Sequence, residues 1–299
     1  DAERFDLLLE IGDIWHEKLK KPAEAIAPYT DACDIRPDDL GALHKLLEVH
    51  QAVGNWHEII DTIDRIAELN DRDAVKARYH YTAAFIARDS LKDLDLALER
   101  FNLSLDLDPT QLKGFEAINR ILTERKDWKN LERAYRKMLF RVVNKCDTDL
   151  EFNLWHALGL IYRDRQRNFE PAVEAFQQAL IRQPHNVTLH EILAELYKNL
   201  NRFDEAIEEH QWLLQQDPFR EDSYRELYRL YFGAKAYDKA WCVAATLVFL
   251  GKADKEQQRF YEDSRPKDGI RPRNRLDEER WVKDLRHPSE NIFISKMME

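Results

Sequence analysis

Residues 155–162 read Trp155-His156-Ala157-Leu158-Gly159-Leu160-Ile161-Tyr162, and Ala172, Phe176, Ala179 and Pro184 follow. Ala172, Phe176 and Ala179 stand at i, i+4 and i+7, which places all three on one face of an α-helix. Pro184 cannot continue that helix, because it lacks an N–H and disfavours helical geometry in the residue before it. Trp155, Leu158, Gly159 and Tyr162 mark an earlier amphipathic helix. The stretch therefore predicts two antiparallel helices. Gly159 lets them approach closely and an aromatic side chain fills the remaining gap toward the next unit.

The same pattern recurs in both directions. Helical segments end near Pro37, Asp71, Pro109, Val143, Pro184, Pro218 and Lys252, at separations of 34, 38, 34, 41, 34 and 34. Eight residues before each end lies Tyr29, Ile63, Phe101, Tyr135, Phe176, His210 or Ala244. Small or apolar residues lie twelve and five before it, Ala25 and Ala32 in the first unit, Ala206 and Leu213 in the sixth. Leu193-Ala194-x2-Tyr197, with Phe203-x2-Ala206, repeats the motif closely. A longer period overlies this one. Units 1, 3 and 5 carry one extra residue between their helices, near Lys21-Pro22, Lys92-Asp93 and Glu170-Pro171. Units 2 and 4 instead turn through Asn55-Trp56 and Asp127-Trp128, so the first five units read as a duplicated pair.

With Trp155-x2-Leu158-Gly159-x2-Tyr162 and the Ala-Phe-Ala-Pro series in register, the chain resembles a tetratricopeptide-repeat (TPR) protein, over roughly residues 4–252. The resemblance implies an all-α, right-handed α-solenoid of about seven helix-turn-helix units plus C-terminal capping helices. The expected organisation is a repeat array over 1–252, with units ending near 37, 71, 109, 143, 184, 218 and 252. A polar capping helix follows at 253–264, then a basic Pro/Gly linker at 265–275 and a helical pair at 276–299 that stops mid-pattern. The joint at 144–149 is the expected hinge. The missing initiator Met and the uncapped end at Met297-Met298-Glu299 suggest a piece of something longer. The C-terminal run resembles the segment joining a TPR block to a following domain in large multidomain bacterial TPR proteins.

Composition agrees. Only 8 Gly and 10 Pro are present in 299 residues, too few for the turns of a many-stranded β-fold. Hydrophobic residues at 44% supply a core and exclude wholesale disorder. A net charge of −10 argues against a generic polyanion binder, so nucleic acid is not an expected partner despite the cluster Arg271, Arg273, Arg275. No apolar run approaches the length of a membrane span, and the first residues lack the pattern of a signal peptide. Cys33, Cys146 and Cys242 are odd in number and far apart, which suggests thiols in a reducing cytoplasm.

No catalytic constellation appears. The sequence has no His-Glu-x-x-His, Cys-x-x-Cys, phosphate-binding Gly loop or Gly-x-Ser-x-Gly. No metal, cofactor or catalytic residue is expected. His210 occupies a large-residue core slot and reads as packed, while the acidic pairs Asp38-Asp39 and Glu208-Glu209 read as solvated.

The resemblance implies that the first helix of each unit lines a concave groove. The residues placed there include Arg78, Tyr81, Phe85, Arg88, Arg120, His156, Arg163, Arg225 and Arg229. The groove then reads acidic at its N-terminal end and richer in Arg further on, with Tyr81 and Phe85 as anchors between. The Lys/Asn pair with which chaperone-tail TPR domains clamp a carboxylate is absent from the corresponding positions, such as His44/Glu48 and Glu191/Glu195. Equally, the charged residues could simply solvate a helix face. The function expected is a non-enzymatic protein–protein interaction scaffold that takes a peptide or helix of another protein in this groove. The alternative is a regulatory or docking module of a larger enzyme or machine whose chemistry lies outside the chain, with RNA binding a distant third. The oligomeric state is not legible.

Overall fold

A computed structural model of the chain describes residues 2–142 and 147–264. Fifteen α-helices run in order among them: α1 (Ala2–Asp13), α2 (Pro22–Ile35), α3 (Leu40–Val53), α4 (Trp56–Glu68), α5 (Asp73–Ile86), α6 (Leu94–Leu107), α7 (Leu112–Glu124) and α8 (Trp128–Val142), then α9 (Thr148–Leu160), α10 (Phe169–Arg182), α11 (Val187–Asn199), α12 (Phe203–Gln216), α13 (Glu221–Gly233), α14 (Tyr237–Phe249) and α15 (Lys255–Asp263). The fold is an all-α solenoid of seven helical hairpins.

The chain divides into two compact units, Asp1–Asp147 and Thr148–Glu299. The first holds hairpins α1/α2 to α7/α8. The second holds α9/α10, α11/α12 and α13/α14, with α15 against α14. In each unit the second helix of one hairpin packs on the first helix of the next. Half of the joint expected to act as a hinge, residues 144–146, lies outside the described residues, as do the basic run 265–275 and the segment 276–299.

The three repeat slots of every second helix are buried, from Ala25, Tyr29 and Ala32 to Ala240, Ala244 and Leu247. Phe176 and Phe101 are fully enclosed, each contributing on the order of 2–3 kcal/mol from apolar burial. The close approach rests on glycine. A Cβ at Gly159 would lie 2.7 Å from the Phe176 ring, and one at Gly12 would run into Tyr29. The large residue therefore sits over the glycine of its own hairpin rather than toward the next unit. His210 fills the equivalent slot, buried and within 3.3 Å of Ser223 Oγ.

Each hairpin turns through one left-handed residue: Lys20, Gly54, Lys92, Lys126, Arg167, Asn201 and Lys235, with φ between 51° and 84°. Their separations repeat those of the sequence markers. The extra residue of units 1, 3 and 5 is not in the turn, however. It is absorbed in the helix, where Ile14–Lys18, Ala87–Leu91 and Ile161–Gln166 form single π-helical turns. The capping bonds record the insertion. In units 2, 4, 6 and 7 the residue after the left-handed one donates to the carbonyl five back, as in Asp127 N to Leu122 O. In units 1, 3 and 5 it donates six back, as in Asp93 N to Ala87 O and Asn168 N to Tyr162 O.

Starts and stops follow local chemistry. Asp39, Asp93, Asn186 and Asp254 accept N-cap hydrogen bonds, and Asp254 with Gln257 forms a capping box on α15. The helices before Pro37, Pro109, Pro184 and Pro218 each end two residues earlier.

Candidate binding groove

Within the first compact unit, α5 carries Arg78, Tyr81 and Phe85, and the π-turn after it carries Arg88. Tyr81 and Phe85 meet edge-to-face at 4.8 Å between centroids, and both lean on buried Phe101, at 5.8 and 5.6 Å. They are half-buried members of the hairpin's packing. Arg88 lies over the Phe85 ring at 4.3 Å and donates to Asp89 through two bonds of 2.7 and 2.8 Å. Those bonds hold the Asp89 carboxyl below its ordinary range and the guanidinium above its own. Arg78 is exposed and has no ion-pair partner among the described residues.

Unit 5 repeats this device 75 positions on. Arg163 grips Asp164 through bonds of 2.6 and 3.0 Å and lies 6.0 Å from the Phe176 ring. His156 stacks on Phe152 at 5.8 Å and meets Phe176 edge-on at 5.7 Å. Burial, reinforced by Arg163, lowers its pKa. The structure thus brings His156 and Arg163 together over one ring. An open cleft of about 510 Å³ adjoins Arg163, lined also by Asp164, Arg167, Phe169, Glu195 and Asn199.

The remaining arginines differ in freedom. Arg120 is 77% exposed and bonds Glu124 at 2.9 Å. Arg229, 70% exposed, bonds Glu226 at 2.7 Å, and Glu226 also receives Lys198 at 2.5 Å. Arg225 is committed to the framework, gripping Glu221 Oε1 at 2.6 and 2.9 Å and donating to the Lys252 carbonyl at 2.8 Å. Near the N-terminal end Asp13 accepts from Tyr29 at 2.6 Å and pairs with Lys45.

Most of these arginines therefore carry a carboxylate one to four residues away on their own helix, and their positive charge is largely neutralised in place. Reading the first-helix positions singly missed Asp89 and Asp164, although each stands next to its arginine in the sequence. Glu209, expected in solvent, instead lies 2.5 Å from Nδ1 of His190, whose ring is stacked on Trp212 at 3.5 Å. Burial raises the Glu209 pKa. A second cleft, of about 430 Å³, lies between α6 and α8. Asp95, Glu99 and Asp106 border it on one side and Arg125, Arg133 and Lys137 on the other, with Asp106 paired to Lys137 at 2.9 Å. Among the described residues no three His, Cys, Asp or Glu side chains converge as a metal site, and no helix is long and apolar enough to cross a membrane.

The model of the tetratricopeptide repeat family matches residues 157–221, the units in which the hairpin geometry, the Gly159–Phe176 contact and the left-handed turns have just been described. Over those residues the chain carries tetratricopeptide repeats. Its TPR units resemble part of superkiller protein 3 of Schizosaccharomyces pombe, 27% identical over 128 residues, which is 42% of this chain and 9% of that protein. Hsp70-Hsp90 organizing protein 3 of Arabidopsis thaliana is 21% identical over 237 residues, 77% of this chain and 39% of the relative. The chain thus spans well under half of these relatives. Among solved structures, Pseudomonas aeruginosa pilF matches 75% of this chain and 96% of its own, at 18% identity and a TM-score of 0.34.

Proposed function

We propose that this TPR protein is a non-enzymatic interaction scaffold whose first helices receive a peptide or helical segment of another protein. The observation that carries the reading is the repeated device on those helices. In units 3 and 5 an aromatic-backed arginine is locked to the neighbouring aspartate on a π-turn, and in unit 5 it opens onto a 510 Å³ cleft. A locked Arg–Asp pair presents donors and acceptors in fixed directions with little side-chain entropy left to lose. Polar recognition of an extended or helical chain benefits from that preorganisation. π-turns recur at functional sites in proteins generally. The name of the Arabidopsis relative describes an organiser of two other proteins, which accords with a scaffold.

The structure also selects the probes. Arg78, Arg120 and Arg229 are exposed and outside the core, so Arg78→Glu, Arg120→Glu and Arg229→Glu can be combined without unfolding the chain. Truncating Tyr81 or Phe85 would open a cavity beside Phe101, and replacing Arg225 would loosen the α13–α15 joint. On this reading, a peptide array probed with the wild-type chain shows a reproducible set of binders that is lost when Asp89→Asn and Asp164→Asn, which break the two locks, are added to the triple variant. An unchanged set would sink it.

A further inference from the structure

The cleft between α6 and α8 lies within one compact unit and contains none of the groove residues. Its floor is apolar, with Leu98 and Leu103 from α6 over buried Ile118 and Leu122 from α7. Leu103 departs from the repeat. Six residues before the end of their own units, the other hairpins carry Asp31, Arg65, Lys137, Gln178, Trp212 and Thr246. Five of these are polar, and Trp212 is covered by its stack on His190. Leu103 instead stays 36% exposed over the cleft. The array does not require an aliphatic side chain at this position, and here one supplies an apolar centre open to an incoming group.

The charges around that centre define what can cross it. Arg125 pairs with Asp95 at one end of the cleft, and Lys137 bonds Asp106 at 2.9 Å at the other. Both pairs bridge the two walls, joining residues 30 and 31 apart in the chain. That register sets Arg133 opposite Asn102 and Leu103, one helical turn beyond Glu99. Glu99 is exposed and has no ion-pair partner among the described residues. Arg133, also exposed, bonds the Asn130 amide oxygen at 3.3 Å rather than a carboxylate. Asp127 on the same wall is occupied by Asn130, which donates to it from its backbone at 3.2 Å and its side chain at 2.6 Å. A helix laid along the cleft would have to break both bridges, whereas an extended chain crossing between them breaks neither. Side chains i−2, i and i+2 of an extended chain share one face over roughly 13 Å. We propose that the α6–α8 cleft docks an extended segment of a partner protein with the pattern basic-x-aliphatic-x-acidic, in either chain direction. The aliphatic side chain sits on Leu103, the basic one over Glu99 and the acidic one over Arg133.

The probe is a labelled nine-residue peptide with Lys-Thr-Leu-Thr-Glu at its centre, the threonines favouring extended backbone. It is compared with peptides carrying Lys at both charged positions, Glu at both, or Ser in place of Leu. Each is titrated by fluorescence anisotropy into the full chain, into Glu99→Lys, into Leu103→Lys, and into the groove variant Arg78→Glu/Arg120→Glu/Arg229→Glu/Asp89→Asn/Asp164→Asn. Lysine already occupies the equivalent repeat position at Lys137, so Leu103→Lys keeps its circular dichroism and melting temperature. The wild type binds the mixed peptide about tenfold more tightly than the other three, or better. Attraction to the net charge of −10 alone would instead favour the Lys-Lys peptide. Glu99→Lys transfers the preference to the Glu-Glu peptide. Leu103→Lys weakens the mixed peptide by about tenfold or more, and the groove variant binds it as the wild type does. The proposal is overturned if the mixed peptide fails to bind, if the Lys-Lys peptide binds as well, or if Glu99→Lys leaves the order unchanged. Retained binding in Leu103→Lys overturns it too. So does loss of binding in the groove variant, which would place the peptide on the first helices and leave the reading of that groove standing.

Discussion

Gly159 shows how much of this fold rests on single residues. It sits against the ring of Phe176, and any Cβ there must displace either that ring or the helix. Gly159→Ala should cost about 1–3 kcal/mol by overpacking, whereas Gly233→Ala, with nothing within 4 Å, should gain up to about 1 kcal/mol from helix propensity. Urea unfolding of the two variants checks the contrast, and equal effects would refute the packing argument. The left-handed turns make a second residue-scale prediction. Lys126 holds φ at 56°, a conformation that costs a side chain about 1 kcal/mol and glycine almost nothing. Lys126→Gly should therefore stabilise by up to about 1 kcal/mol, less the extra freedom glycine gives the unfolded chain. A lowered urea midpoint would count against it. The buried slots were legible because 34-residue spacing and i, i+4, i+7 periodicity specify burial directly. The inward turn of Glu209 was not, because a polar side chain's direction depends on partners far away in sequence, here His190.

Among the elements, the π-turns separate units 1, 3 and 5 from the rest. The sequence shows that one residue is inserted, but its place depends on competition between a longer turn and a wider helical turn. The helix takes it because the left-handed turn and its capping bond can then be kept, with the bond reaching six residues back instead of five. Units 2, 4, 6 and 7 make the same joint without the insertion. Deleting Ser90 from the second π-turn should therefore give a folded protein with a regular turn, at a cost of no more than about 2–3 kcal/mol. Deleting one residue within α6 would move Ala97, Phe101 and Ser104 off the core face and should abolish folding of that hairpin. If the Ser90 deletion is as damaging, the π-turn is structurally required. The candidate groove was only half visible at this scale. Helix position named candidate residues for it, but the Arg–Asp locks depend on side-chain directions that first-helix positions do not give.

For the molecule as a whole, burial lowers the pKa of His50, His80, His156 and His210, the last beside Ser223. A buried neutral imidazole resists protonation, and the unfolded chain takes up the proton more readily. The corresponding stability is fully present above about pH 6.5, the ordinary value for histidine, and is lost as pH falls through the lowered folded values. The urea midpoint should accordingly drop between pH 7.5 and 5.5, and His210→Gln should reduce that drop. A midpoint constant over this range would contradict the assignment of these rings as neutral.

The central claim is that the first helices form a recognition surface for another polypeptide. Its most direct test is a peptide array probed in parallel with the wild-type chain and with Arg78→Glu/Arg120→Glu/Arg229→Glu/Asp89→Asn/Asp164→Asn, the two matched in melting temperature. The account predicts a defined set of peptides bound by the wild type and lost in the variant. The same set retained by both would contradict it.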